Sequence, residues 1–274
     1  MNIDKLNAAN IAFLVAGSPS GPGKPPLICL HGIGGDATSF MPQIRGLAKN
    51  RRVLSWNMPG YGASAPLADM DFASLCDRLC AGLDALGIER AVFVGQSIGG
   101  MIAQEMAIRH PQRVAGLVLI ATVSAFGGRD DSFRDSFLAA RLAPLDKGVS
   151  MAKLAEEAIP AVLGPAADNN TRRDAIAAMA AIPESAYRQV LATLVTFNRR
   201  EEQHRITCPC CLIAGAADDN SPARVMEKMA AGLPHATFHI VENAGHLVNS
   251  EAGDACNAII ADFIKGLRGQ SGGK

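Results

Sequence analysis

Six short apolar runs rich in β-formers recur along the chain with helical patterns between them: PLICLHG (26–32), VLSWN (53–57), AVFVG (91–95), LVLIA (117–121), CLIAG (211–215) and TFHIV (237–241). Alternation of this kind is the mark of βαβ units around a parallel sheet. The runs are continuous rather than alternating, as strands buried on both faces are. A seventh run, IAFLVAG (11–17), is expected to pair at an edge. Helical spacing is read at about 38–49, 71–87, 98–110, 222–232 and 251–267. Asp71 is placed to cap the second helix, which stops at Gly87. Ser221-Pro222 supplies a capping residue followed by a first-turn proline for the fourth. The expected fold is therefore α/β, a mostly parallel central sheet flanked by helices.

From about 123 to 204 the pattern changes, with short amphipathic helices separated by Pro144, Gly148, Pro160, Gly164-Pro165 and Pro183. A structureless insertion of that length inside a compact domain is improbable, so it reads as a helical cap inserted in the core. The expected organisation is a core of residues 1–122 and 205–268, a cap of 123–204, and a disordered tail of 269–274. The cap enters after one core strand and before the next, over the sheet edge where open α/β sheets bind ligands.

Of the 274 residues 49% are apolar and 19% charged, a balance that builds a packed core. The 26 basic and 26 acidic residues cancel without a like-charge block, so no nucleic-acid stripe is present. Seven cysteines are an odd number, and Cys208, Cys210 and Cys211 lack the second Cys/His cluster a metal would need. They read as reduced thiols in a reducing compartment, with no metal. The first residues carry no secretory pattern, and no apolar run approaches the roughly 18 residues of a membrane span. The expectation is a cytoplasmic protein acting on a small molecule, with no nucleic-acid or membrane partner and its oligomeric state unassigned.

The chemistry begins at Gly95-Gln96-Ser97-Ile98-Gly99-Gly100, directly after one strand and opening a helix. A nucleophile on such a turn is strained, and its neighbours must be glycine where larger side chains would collide. The helix N-terminus also aims the Ile98 N–H at the site as an oxyanion donor. A serine hydroxyl needs a base. Of six histidines, His110, His204 and His235 read as surface or capping residues, His239 as half-buried in a strand, and His31 as structural. His246 follows the last strand in Asn243-Ala244-Gly245-His246, on the same sheet edge as Ser97. An orienting carboxylate should follow a strand end, and Asp218 or Asp219 after CLIAG serves equally by position. His31-Gly32-Ile33-Gly34-Gly35 supplies a second oxyanion donor in the N–H of Ile33.

Together LHGIGGDATSF, WNMPGYGAS, VGQSIGGMIAQEMAIRHPQRV, LVLIAT, GAADDNSP and NAGHLVNSEAGDACNAIIADFI resemble the α/β-hydrolase superfamily over about residues 10–268. Within it the chain is most similar to 3-oxoadipate enol-lactonase-like hydrolases and neighbouring carboxylesterases. That group shows G-x-x-D-x-x-T/S-P, and aligning Gly215 with Ser221-Pro222 selects Asp218. The resemblance implies a cofactor-free serine hydrolase cleaving a small carboxylic ester or lactone with Ser97, His246 and Asp218. Two departures stand out: Asn57 where the group has aspartate, and Gln96 before the nucleophile, where His, Leu or Met is usual. Carbon–carbon bond hydrolases of ring-cleavage products, which tend to carry HGxGPG where this chain has HGIGG, are the alternative enzymes. A ligand-binding member of the fold is the non-catalytic alternative. For a carboxylate-bearing substrate Arg129, Arg134, Arg141 and Arg199 are candidate cap cations. Phe126, Phe133 and Phe137 form a face that packs the core or lines a pocket.

Overall fold

The computed structural model describes residues 2–18, 24–127 and 132–269. Its strands are β1 (Asp4–Ala8), β2 (Ile11–Ala16), β3 (Leu27–Leu30), β4 (Val53–Trp56), β5 (Ala91–Gln96), β6 (Val114–Ile120), β7 (Cys210–Gly215) and β8 (Ala236–Val241). The helices are α1 (Met41–Leu47), α2 (Phe72–Ala85), α3 (Ile98–Arg109), α4 (Ser132–Asp146), α5 (Met151–Ala158), α6 (Asn169–Ala180), α7 (Glu184–Leu194), α8 (Ala223–Ala231), α9 (Val248–Glu251) and α10 (Gly253–Gly269). One sheet runs β1-β2-β4-β3-β5-β6-β7-β8; β2 is antiparallel to both its neighbours, and the strands from β3 onward pair in parallel.

Alternation along the strands feeds two cores. Ile28, Leu30, Phe93, Leu117, Leu119 and Leu212 face one cluster, shared with α2, α3 and α8. Leu27, Cys29, Val92, Val94, Val118, Ile120 and Ile213 face the other, shared with α1 and α10. Each fully buried aliphatic side chain contributes about 1.5–3 kcal/mol, so the continuous runs dictate a sheet covered on both sides. Asp71 caps α2 as expected: its carboxylate accepts from Ser74 N at 2.6 Å while Ser74 Oγ accepts from Asp71 N at 2.9 Å.

Three expectations change. β2 is interior, because the polar segment DKLNA forms β1 outside it. β8 is the opposite edge, so His239 is exposed rather than half-buried and Ile240 is 49% exposed. The residue before α8 is Pro222, with no side-chain cap, and the Ser221 N–H turns instead to Asp218. Residues 270–274 and Arg129 lie outside the described residues.

Helices α4–α7 form a layer over the carboxyl ends of the parallel strands. Met179 and Ile159 lie over Gly34 after β3, and Ala186 against Gly60 after β4. Gln189 Nε2 and Thr193 Oγ1 donate to the carbonyls of Leu67 and Met70. The two ends of the layer are zipped together, Phe126 N to Phe197 O at 2.7 Å and Arg199 N to Ser124 O at 2.8 Å. Arg199 then locks that base to α3 through a two-pronged pair with Glu105, 2.5 and 3.1 Å, the carboxylate side chain being 2% exposed.

His31, after β3, is fully buried. Its Nε2 accepts from Met58 N at 3.0 Å, which leaves the proton on Nδ1 to donate to Gly32 O at 2.8 Å. Burial holds the ring below its ordinary value of 6.5, against the smaller raising effects of the Gly32 carbonyl and Asp36.

Two stability outcomes follow. Glu105→Ala removes the buried anchor of Arg199, which keeps only Glu202 at 3.5 Å and the Asn198 carbonyl, and is expected to cost about 1–3 kcal/mol in urea unfolding; an unchanged midpoint would show the pair to be idle. Because the folded chain refuses a proton that unfolded His31 accepts, the His31 contribution to stability is present above about pH 6.5 and is lost as pH drops below it. His31→Gln, unfolded in urea between pH 7 and 5, is expected to lose less stability across that window than wild type. An equal slope would remove His31 as the cause.

Candidate active site

Ser97 stands between β5 and α3 at φ 55° and ψ −122°, a conformation that costs a non-glycine residue about 1–3 kcal/mol. Its surroundings enforce it. The Ser97 N–H donates to Ile120 O at 3.0 Å, and its carbonyl accepts from Thr122 Oγ1 at 2.8 Å and Gly100 N at 2.9 Å. A Cβ on Gly99 would stand 2.0 Å from the Leu30 carbonyl oxygen, and one on Gly95 2.2 Å from that of Gly99. Glycine is therefore required at both, and the helix starts flush against the end of β3. Ala121 and Asn243, after β6 and β8, are also at positive φ; among the described residues the only other non-glycine cases form the β1–β2 turn.

His246 lies in the loop after β8. Its Nδ1 is 2.8 Å from Asp218 Oδ2, and the Asp218 side chain is wholly buried. Asp218 Oδ1 accepts from Asn220 N at 2.8 Å and Ser221 N at 3.1 Å. Burial alone would push this carboxyl up. The bond and charge of His246, with the two amides, outweigh it and hold the group below the usual carboxylate value. Asp219 is exposed and makes no such contact, so the geometry separates two aspartates that position alone did not.

Gln96 joins the elbow to the histidine loop: its Nε2 donates to His246 O at 2.9 Å across 150 residues. The side chain is buried, with Oε1 beside Gly32. The Ser97 hydroxyl has no hydrogen-bond partner among the described residues, so serine and imidazole are not yet bonded to each other. Catalytic contacts often close only when a ligand seats.

The N–H groups of Ile33 and Ile98 are likewise unclaimed by other described residues. Each is aimed by its own peptide plane, because N–H and C=O point in opposite directions across a trans amide. For Ile33 the plane's carbonyl, Gly32 O, is pinned by His31 Nδ1 and by Gly35 N at 3.0 Å. For Ile98 it is Ser97 O, pinned by Thr122 and Gly100. A Cβ on Gly32 would be 3.3 Å from Ser97 Cβ, so the first loop passes directly beside Ser97. Asn57 Oδ1 accepts from Ala37 N at 2.9 Å, bracing the same loop further on.

Thr122, Gln96 and His31 thus act on the site through other groups. Thr122 was legible only as a hydroxyl ending a wholly apolar strand, and Gln96 as an amide where the related sequences carry other side chains. Of the cap arginines, Arg199 is held by Glu105, Arg134 runs beside Gly127, and Arg141 lies 3.5 Å over the Phe137 ring without an ion pair among the described residues. Burial draws the Arg141 guanidinium below the usual arginine range, partly offset by Tyr187. Phe126 and Phe137 meet edge to face at 4.7 Å, while Phe133 is 51% exposed. Among the described residues no cluster of three His, Cys, Asp or Glu could hold a metal ion, and no helix is long and apolar enough to cross a membrane. All seven cysteines are free thiols. A cavity of about 770 Å³ opens elsewhere, between β8 and α10, lined by His235, His239, Asp262 and Phe263; its remoteness from the elbow sets it apart from this chemistry.

Comparison with known proteins agrees with this architecture. A Caulobacter sp. (strain K31) protein provisionally named carbamate hydrolase RutD is 32% identical over 249 residues, 88% of this chain and 90% of its own. The 2-hydroxymuconate semialdehyde hydrolase of Pseudomonas sp. (strain CF600) is 29% identical over 257 residues, 87% of this chain and 86% of its own. The structure of the enol-lactonase from Burkholderia xenovorans LB400 superposes with a TM-score of 0.83 at 21% identity, over 96% of this chain and all of that one, a likeness of fold. Residues 25–252 match the alpha/beta hydrolase fold family, and the chain belongs to it.

Proposed function

We propose that the protein hydrolyses a small carboxylic ester or lactone through an acyl-enzyme on Ser97. The observation that carries this reading is the 2.8 Å bond between His246 Nδ1 and the buried Asp218 carboxylate. It fixes the imidazole tautomer so that Nε2 is the free base, and it stabilises the imidazolium that forms.

In the first step His246 Nε2 takes the Ser97 Oγ proton as that oxygen attacks the carbonyl carbon. The tetrahedral oxyanion is met by the Ile33 and Ile98 amides, each worth about 10²–10³-fold in rate. Collapse breaks the ester C–O bond, and the leaving alkoxide takes the proton from His246. In a lactone that alcohol stays tethered to the acyl chain. Water, deprotonated by His246, then attacks the acyl-enzyme and releases the acid and Ser97. Arg141, with no carboxylate paired to it among the described residues, is the cap cation we assign to an anionic group on the substrate. The free thiols accord with action in a reducing compartment.

The 29% identity to a 2-hydroxymuconate semialdehyde hydrolase favours one second reading, carbon–carbon cleavage by the same three residues. A screen over p-nitrophenyl esters of graded chain length, neutral and anionic, with small lactones, a simple carbamate and a dienoic ring-fission product separates the two. Turnover of esters or lactones is expected; turnover of the dienoate alone would replace the proposal, and binding without product release would make the chain a receptor. Ser97→Ala is expected to lower kcat by at least about 10³-fold with folding intact. Asp218→Asn should cost about 10²–10⁴-fold while Asp219→Asn stays within about twofold of wild type. Near-wild-type turnover by Ser97→Ala would remove the mechanism.

A further inference from the structure

The ring of His246 is oriented by Asp218, but an orienting partner works only if the backbone carrying the ring is fixed. That backbone is held by one carboxylate outside the three reacting side chains. Glu251 Oε2 accepts from Gly245 N at 2.9 Å and Oε1 from Leu247 N at 2.9 Å, one residue either side of His246. Oε2 accepts a third N–H, that of Gly164 at 2.7 Å, from the segment joining α5 to α6. Charge-assisted bonds of this kind are about twice as strong as neutral ones.

The same two segments are pressed together around this carboxylate. His246 N donates to Val162 O at 2.8 Å and Ala166 N to Asn243 O at 2.7 Å. A Cβ on Gly245 would stand 2.3 Å from Gly164 N, and one on Gly164 2.4 Å from Gly245 N. The backbones touch because neither residue has a side chain, and Glu251 takes up the N–H groups that this approach turns inward.

We propose that Glu251 is a positioning residue that sets the place of His246 and ties it to the docking of the 162–166 segment. The base is aimed only while that part of the helical layer is seated. The inference rests on the reading of His246 as the general base, and it assigns Glu251 no proton transfer.

The test compares Glu251→Gln, Glu251→Ala and Glu251→Asp in the full chain with the best ester from the screen. Glu251→Gln and Glu251→Ala are expected to lower kcat about 10–100-fold with KM within about threefold, an order of magnitude taken from the cost of misplacing a catalytic group. Glu251→Asp is expected to recover part of the loss. The rate at which a fluorophosphonate labels Ser97, which depends on the base but not on product release, should fall in parallel with kcat. Hydrogen–deuterium exchange should rise together in 162–166 and 243–247 and stay unchanged in β3, β5 and α3. A labelling rate at the wild-type value, or exchange rising in only one of the two segments, overturns the proposal. Exchange can be read even where a variant loses all activity. If Ser97→Ala keeps wild-type turnover, the catalytic reading fails, while the coupling of the two segments stands or falls on exchange alone.

Discussion

Where α3 begins, its backbone passes the end of β3 so closely that a Cβ on Gly99 would reach 2.0 Å from the Leu30 oxygen. β3 is the strand from which the sheet grows in both directions, to β4 on one side and β5 on the other. The loops leaving β3 and β5 therefore diverge and leave a crevice at their carboxyl ends. Seating α3 flush in that crevice forces the turn at Ser97 into positive φ and lifts its side chain away from the helix it caps. It also brings the 31–35 loop within contact of the same residue. The strained turn at Ser97 and both free amides are consequences of one backbone approach. A side chain at position 99 would disturb all three together.

The crevice is built with little formal charge. His31 is neutral in the buried interior, and it uses both ring nitrogens to fix a peptide plane rather than to meet a ligand. Thr122 does the equivalent for the plane of Ile98. Dipoles held in this way need not reorganise when negative charge develops near them, which is why such donors act more strongly than water. The one buried carboxylate in the group, Asp218, has its two oxygens divided between His246 and the amides of Asn220 and Ser221. Its charge is thus met by the imidazole and two backbone amides, all within the same turn and loop.

The sheet and the elbow were legible because local sequence determines them. Apolar runs buried on both faces cannot be satisfied except in a covered sheet, and small residues around Ser97 in that setting have few other uses. What stayed hidden depends on partners far along the chain. DKLNA is too polar to announce β1, which is held by pairing with β2 and not by burial. TFHIV looks like an interior strand, yet among the described residues nothing pairs beyond it, and His239 and Ile240 are exposed. Ser221 has the chemistry of a helix cap but gives its N–H to Asp218, because the carboxylate three residues earlier competes for it. Asp218 and Asp219 are equivalent by spacing, and only the side chain turned inward reaches the imidazole. Gln96 and Glu251 could be singled out only once segments 150 and 87 residues away were seen against them.

His246 is thus the member of the site that no single element positions. Ser97 is locked by the geometry of β5 and α3, and Asp218 by the turn after β7. The histidine loop is instead tied by four hydrogen bonds to three other parts of the chain: Ala217 N donates to Ala244 O, Gln96 Nε2 to His246 O, His246 N to Val162 O and Ala166 N to Asn243 O. Two of those contacts come from the layer that covers the crevice. A shift of that layer therefore moves the imidazole before it moves the serine, and it does so along hydrogen bonds rather than through bound substrate. On the proposed reading, alignment of the imidazole depends on the contacts that seat the 162–166 segment. If His246 is the base, variation in the covering helices can then change reactivity while the sheet and the turn at Ser97 stay fixed.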